Sequence, residues 1–221
     1  LAPTNQQGNR GVANLSPKAQ ARRRKGLVQL KSGLEALSRK NYVAASAKIR
    51  QALKSDERNP LAWRMLAIAL EKQDEFAEAF TAYEAAARLA PDDVVLANDV
   101  GPLAQRLGKL ELAEKLFERF LAGHPGDEEA TNNLATVLRD QNRYGDAIAL
   151  LRDVINANPE RPLLWNTLGT VLSDSGDTAG AMVFSDEALR LDPDFHMARH
   201  NRAHRLTLLG EPEKALKETA L

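Results

Sequence analysis

Six alanines recur at one interval along almost the whole chain: Ala45, Ala79, Ala113, Ala147, Ala181 and Ala215 stand 34 residues apart. Pro91, Pro125, Pro159 and Pro193 keep the same step. A period of this length fits one helix–turn–helix unit, which cannot bury its apolar face alone and must stack on its neighbours. The interval therefore points to a solenoid before any local pattern is considered. It also bounds function, because such stacks mostly offer a long concave surface for binding.

Blocks of 34 fall at 26–59, 60–93, 94–127, 128–161 and 162–195, with a partial sixth from 196. Trp63, Leu66, Ala67 and Leu70 in the second block return as Trp165, Leu168, Gly169 and Leu172 in the fifth. Ala79, Tyr83, Ala86 and Pro91 follow the first set, and Ala181, Ala188 and Pro193 the second. Leu66, Val100, Leu134 and Leu168 have the spacing of an inward stripe on each first helix. Beside them Gly33, Ala67, Gly101, Ala135, Gly169 and Ala203 are small, as two closely approaching helices require. Gly108, Asn142, Gly176 and Gly210 suit a left-handed cap between paired helices, and the prolines stop each second helix. Two positions break the pattern. Glu57 stands where proline is expected, and Arg202 stands at the inward leucine position.

Recurring together, these positions resemble the tetratricopeptide repeat family over residues 26–221. The resemblance implies an all-α fold: a right-handed superhelical solenoid of antiparallel helix pairs, with five full repeats plus a partial sixth at 196–221. Residues 21–221 are then the solenoid, and 1–20 a flexible basic N-terminal arm. The chain begins at Leu1 and stops inside the second helix of its sixth unit, which is read as a fragment of a longer protein.

Hydrophobic residues at 43% and charged residues at 27% fit a packed protein. Formal net charge is zero, yet Arg10, Lys18, Arg22, Arg23, Arg24 and Lys25 face no acid within the first 25 residues. That run can touch nucleic acid or an anionic membrane, or serve as a solvated lead-in to the first helix. A near-neutral body without a basic face argues against nucleic acid as the main ligand. The chain has no cysteine, so disulfides and thiolate metal sites are excluded. This fits a cytoplasmic location and leaves the periplasm as the alternative. No apolar stretch is long enough to span a bilayer, and residues 1–15 lack a signal peptide's hydrophobic core. Abundant Ala, Leu, Arg and Asp point to a GC-rich bacterial source. No nucleophile, base and orienting group converge, so this segment alone is expected not to be an enzyme and to need no cofactor.

The resemblance puts the fifth and ninth residues of each unit in the concave groove. The fifth are Leu30, Arg64, Asn98, Asn132, Asn166 and His200, with Asn133 and Asn201 beside them. An amide offers a donor and an acceptor together, so such a row can take an extended peptide through its backbone. The row is similar to the asparagine-lined superhelix of O-linked N-acetylglucosamine transferases. Asn133 and Asn201 match the asparagine position there, whereas Asn98, Asn132 and Asn166 lie one residue earlier. The other reading is polar helix surface or ties between repeats. The ninth residues, Leu34, Ile68, Pro102, Thr136, Thr170 and His204, do not supply the basic and polar clamp of adaptors that grip chaperone C-termini.

Leu27, Leu30, Leu34 and Leu37, extended by Leu61 and Ile68, form an apolar patch at the start of the groove. Such a patch suits a partner helix, a second copy of the chain or the N-terminal arm; with the first helix rotated, the same leucines are core. His196, His200 and His204 share one helical face at metal-ligand spacing, but Arg199, Arg202 and Arg205 repel a cation, so no metal is assigned. The Arg and His content of this helix suits an anionic partner. The expected function is a protein-interaction scaffold binding an extended peptide or helix, with Arg64, Asn98, Asn132, Asn133, Asn166, His200, Asn201 and His204 lining the groove. The alternatives are the substrate-recruiting region of a larger enzyme, a glycosyltransferase above all, and a bacterial envelope or secretion assembly factor.

Overall fold

The computed structural model describes residues 16–90 and 93–219. Among them it is all-helical, with twelve helices: α1 (Pro17–Ser38), α2 (Tyr42–Leu53), α3 (Pro60–Glu71), α4 (Phe76–Leu89), α5 (Val94–Arg106), α6 (Leu110–Gly123), α7 (Glu128–Asp140), α8 (Tyr144–Ala157), α9 (Pro162–Asp174), α10 (Thr178–Leu191), α11 (His196–Leu208) and α12 (Pro212–Thr219). They form six successive pairs, one for each period of the sequence. Helix α1 already begins at Pro17, so residues 17–20 belong to the helix rather than to an arm; residues 1–15 and Pro91 lie outside the described residues.

Local chemistry fixes the helix ends. Side chains of Ser16, Asn41, Asn59, Asp127 and Asp177 each accept a hydrogen bond from the first turn of the following helix. These bonds satisfy amide groups that have no partner within the helix. Inside each pair the chain turns through one left-handed residue, at Lys40, Asp74, Gly108, Asn142, Gly176 and Gly210. The next N–H then bonds back across the turn, as in Asn41 to Ala36 (2.9 Å), Lys109 to Ala104 (2.8 Å) and Asp177 to Leu172 (3.0 Å). This is the Schellman closure. Helices α6, α8 and α10 stop at Gly123, Ala157 and Leu191, each two residues before its proline. Helix α2, which has Glu57 in the proline register, stops earlier, at Leu53.

The chain divides into two compact units, residues 1–96 and 97–221. In the first, the core is built from Ile49, Leu53, Leu66, Leu70, Phe80 and Tyr83 around Ala45 and Ala79, both fully buried. In the second, Phe117, Leu134, Leu151, Leu164 and Leu168 pack around Ala113, Ala147 and Ala181, also fully buried. The small residues facing the alanines allow this closeness. A methyl group on Gly33 would lie 2.6 Å from Ile49 Cγ1, and one on Gly101 would clash with the Phe117 ring at its Cζ atom.

Candidate functional site

The first helices of the last three repeats, α7, α9 and α11, carry a polar seam within residues 97–221. Its register is 35, one more than the sequence period. Thr167 Oγ1 donates to Asn132 Oδ1 at 2.6 Å, and Asn201 Nδ2 donates to Asn166 Oδ1 at 3.1 Å. Asn201 Nδ2 also reaches Thr170 Oγ1 at 3.4 Å, and that hydroxyl donates to the main-chain carbonyl of Asn166 at 3.0 Å. The two asparagine columns seen in the sequence are thus laced to each other from one repeat to the next.

This lacing decides the two readings of the asparagines residue by residue. Asn166 is only 2% exposed, with its amide oxygen turned into the tie to Asn201, so it lies inside the seam rather than lining an open groove. Asn132, Asn133 and Asn201 are half-buried and Asn132 donates to Asn133 at 3.4 Å. The lacing does not extend to the third repeat. Asn98 Oδ1 is shielded from solvent and has no hydrogen-bond partner. Four residues on, Pro102 lies inside α5 and has no N–H to offer the Asn98 main-chain carbonyl.

The seam ends at a residue whose burial the sequence pattern did not predict. Arg205 is 2% exposed, in the register filled by Leu103, Val137 and Val171 in earlier repeats. Its guanidinium donates to Thr170 Oγ1 at 2.9 Å and to Ser185 Oγ. Burial lowers its pKa from the ordinary arginine value, while the charge of Asp174 acts in the opposite sense. Ser185 in turn holds the register of Ile49, Tyr83, Phe117 and Leu151, so a missing large side chain makes room for the guanidinium. The exchange of a serine and an arginine between two apolar columns was the available signal. Arg202, at the inward leucine position, is held by Asp186 at 2.7 Å and by Glu218. Desolvation there is outweighed by these carboxylates, Asp186 first, and its pKa is raised.

The remaining expected residues are dispersed. His200 and His204 are exposed on α11, and Arg64 is half-buried on α3. No group of three or more His, Cys, Asp or Glu among the described residues is arranged to hold a metal. The apolar patch is split by the orientation of α1, whose inward face is Gly26, Leu30 and Gly33. Leu30, 7% exposed, is therefore core rather than surface, because the glycines either side of it draw that face onto α2. Leu34, Leu37 and Ile68 are half-buried, and only Leu27 and Leu61 of the six are exposed.

Paired helices, left-handed turns and facing small residues at this period define a helix-pair repeat protein. The tetratricopeptide repeat profile matches residues 30–94, 99–162 and 132–194, and the chain belongs to that family. It is 48% identical to protein FlbA of Caulobacter vibrioides over 189 residues, which cover 86% of this chain but 32% of FlbA. The chain thus spans about a third of that relative's length. Among solved structures it is similar to YrrB, described as a TPR protein with an unusual peptide-binding site (TM-score 0.70, 19% identity, 84% of this chain and 96% of YrrB). It is also similar to PilW, a type IV pilus biogenesis factor (TM-score 0.72, 23% identity, 88% of this chain and 90% of PilW). Among the described residues no helix is long and apolar enough to cross a membrane.

Proposed function

We propose that the chain is a scaffold that binds an extended segment of a partner protein along α5 and α7, beside the seam. The observation that carries this reading is Asn98, whose half-buried side chain holds an amide oxygen that lacks a donor. A shielded acceptor without a partner costs about 1–3 kcal/mol, and rotation of the half-buried amide would offer it to a backbone N–H of a bound peptide. Asn133 adds a half-buried amide in the neighbouring repeat. The exposed His200 and His204 suit acidic groups farther along the partner. Affinity for a partner segment, found on an array of peptides tiling the source organism's proteins, should fall in the Asn98→Ala/Asn133→Ala variant at unchanged melting temperature. Unchanged affinity would sink the proposal. Asn166→Ala should instead lower stability by about 1–2 kcal/mol, because it removes a buried tie.

A second reading makes this chain, which spans about a third of FlbA's length, the recruiting region of a larger enzyme. In this reading the reaction is glycosyl transfer to the captured protein, on the likeness of Asn133 and Asn201 to the asparagine position of the O-linked N-acetylglucosamine transferases. Sequencing the full reading frame tests that directly, and a long α/β region downstream is the expected result. A cytoplasmic location is the compartment proposed, checked by cell fractionation. A second copy of the chain is the proposed occupant of exposed Leu27 and Leu61, and light scattering of a Leu27→Ser/Leu61→Ser variant tests it.

A further inference from the structure

The two tryptophans stand in the same register, three periods apart, and are held alike. Trp63 Nε1 donates to the Glu57 carbonyl at 2.8 Å, and Trp165 Nε1 donates to the Pro159 carbonyl at 2.7 Å. In the fifth repeat the indole is covered by Phe184 of α10, with ring centroids 5.9 Å apart and planes inclined by 21°. In the second repeat the residue in the register of Phe184 is Ala82. The apolar floor is matched, Leu53, Leu66 and Leu70 corresponding to Ile155, Leu168 and Leu172, whereas Lys54, Glu57, Glu78 and Thr81 of the rim correspond to Asn156, Pro159, Gly180 and Val183. With alanine in that register, an open groove of about 610 Å³ runs beside Trp63 and the buried Ala82, set among α2, α3 and α4.

From this geometry we propose that the groove receives an aromatic side chain, Phe, Tyr or Trp, carried by a partner polypeptide. The fifth repeat supplies the chemistry of the occupant, because there a tryptophan over the same apolar floor holds a stacked phenyl ring delivered by a protein helix. Stacking on Trp63 over an aliphatic floor gives an aromatic ring both its apolar burial and its preferred offset geometry. The size of the groove selects a polypeptide over a free small aromatic. A benzene ring fills a void of only about 150 Å³, so much of this space is left for the residues flanking the ring. At the rim, the exposed ion pair of Arg50 and Glu78 offers charge and hydrogen-bond partners to a peptide backbone. A deeply inserted aromatic anchor surrounded by such a rim is the usual source of affinity in protein interfaces. The site lies within residues 1–96 and uses none of the seam residues, so it stands or falls apart from the proposed peptide groove.

The test is a peptide display selection. A random library is first depleted on the Ala82→Phe variant, which supplies a ring from within, and is then selected on the unaltered chain. Survivors should share a Phe, Tyr or Trp and lose at least about tenfold in affinity when that residue becomes alanine. They should also perturb the emission of Trp63 in a Trp165→Phe background, and retain affinity for the Asn98→Ala/Asn133→Ala variant. Melting curves confirm that Ala82→Phe is folded. If it is not, Thr81→Trp, at an exposed position on the same rim, serves as the blocking variant. The absence of surviving peptides, or survivors without an aromatic residue, overturns the proposal. So does quenching of Trp63 by N-acetyl-phenylalaninamide with no peptide selected, since the site would then take a free small molecule.

Discussion

Left-handed backbone is required at one turn position in every repeat, and the residues there are not equally suited to it. Glycine occupies Gly108, Gly176 and Gly210, but Lys40 and Asp74 hold φ of 58° and 62°. A Cβ in that region costs about 1–2 kcal/mol, reduced for Asp and Asn, whereas glycine gives back about 0.5–1 kcal/mol as extra freedom in the unfolded chain. Lys40→Gly should therefore stabilise the protein by about 0.5–1 kcal/mol. Asp74→Gly should stabilise it less, and thermal melting distinguishes the two. The turns at Gly108, Asn142, Gly176 and Gly210 were legible in the sequence because their residues favour this conformation. That at Lys40 was hidden, because there the surrounding helices impose a conformation the side chain does not favour, and Asp74 is a weaker marker than glycine or asparagine. The asparagines were legible as a pattern for a similar reason, but not in their roles. A period of 34 reports which residues are equivalent, whereas the bonds run at 35, between positions that are not equivalent. Only the packing of adjacent first helices reveals that Asn166 is a tie and Asn98 is not.

At the level of elements, α9, α10 and α11 replace an apolar contact by a polar one. Ser185 and Arg205 each break an apolar column, and each makes sense only with the other. A double-mutant cycle should show this coupling. Arg205→Val alone leaves a void beside Ser185, and Ser185→Leu alone collides with the guanidinium, so both singles destabilise. The Ser185→Leu/Arg205→Val double variant restores the pattern of earlier repeats and should recover much of the loss, with a coupling of about 0.5–3 kcal/mol. Additive losses in denaturant melts would refute the exchange. A second joint links α6 to the turn before α8, where Glu114 accepts from Gln141 at 2.9 Å and pairs with Arg143 at 2.5 Å. The Gln141 bond, then Arg143, lower the Glu114 pKa despite partial desolvation. Because the folded value lies below the unfolded one, this stabilisation is complete above the ordinary carboxylate range, about pH 4.3, and is lost as pH falls through the depressed folded value. Glu114→Gln should be less stable than the parent at neutral pH and should lose stability less steeply on acidification. Melting temperatures measured across the acid limb check both.

Across the whole chain, the substantial helix–helix contacts among the described residues join helices of one repeat or of adjacent repeats. Stability in such an array is close to a sum of local terms and nearest-neighbour interfaces. A lesion should therefore weaken its own neighbourhood first, instead of lowering the protection of every helix together. Gly101→Ala is a suitable lesion because its added methyl collides with the fully buried Phe117. Overpacking of this kind costs about 1–3 kcal/mol. Amides of α5 and α6 should then exchange about 5- to 150-fold faster, given that free-energy range. The effect should fade through α7 and α8 and be absent from α11 and α12. Hydrogen exchange read by mass spectrometry resolves these segments, and an equal loss of protection in α5 and α11 would mean that residues 97–221 unfold as one cooperative block. A graded response would show that each repeat within residues 97–221 is stabilised mainly by its own core and its neighbours.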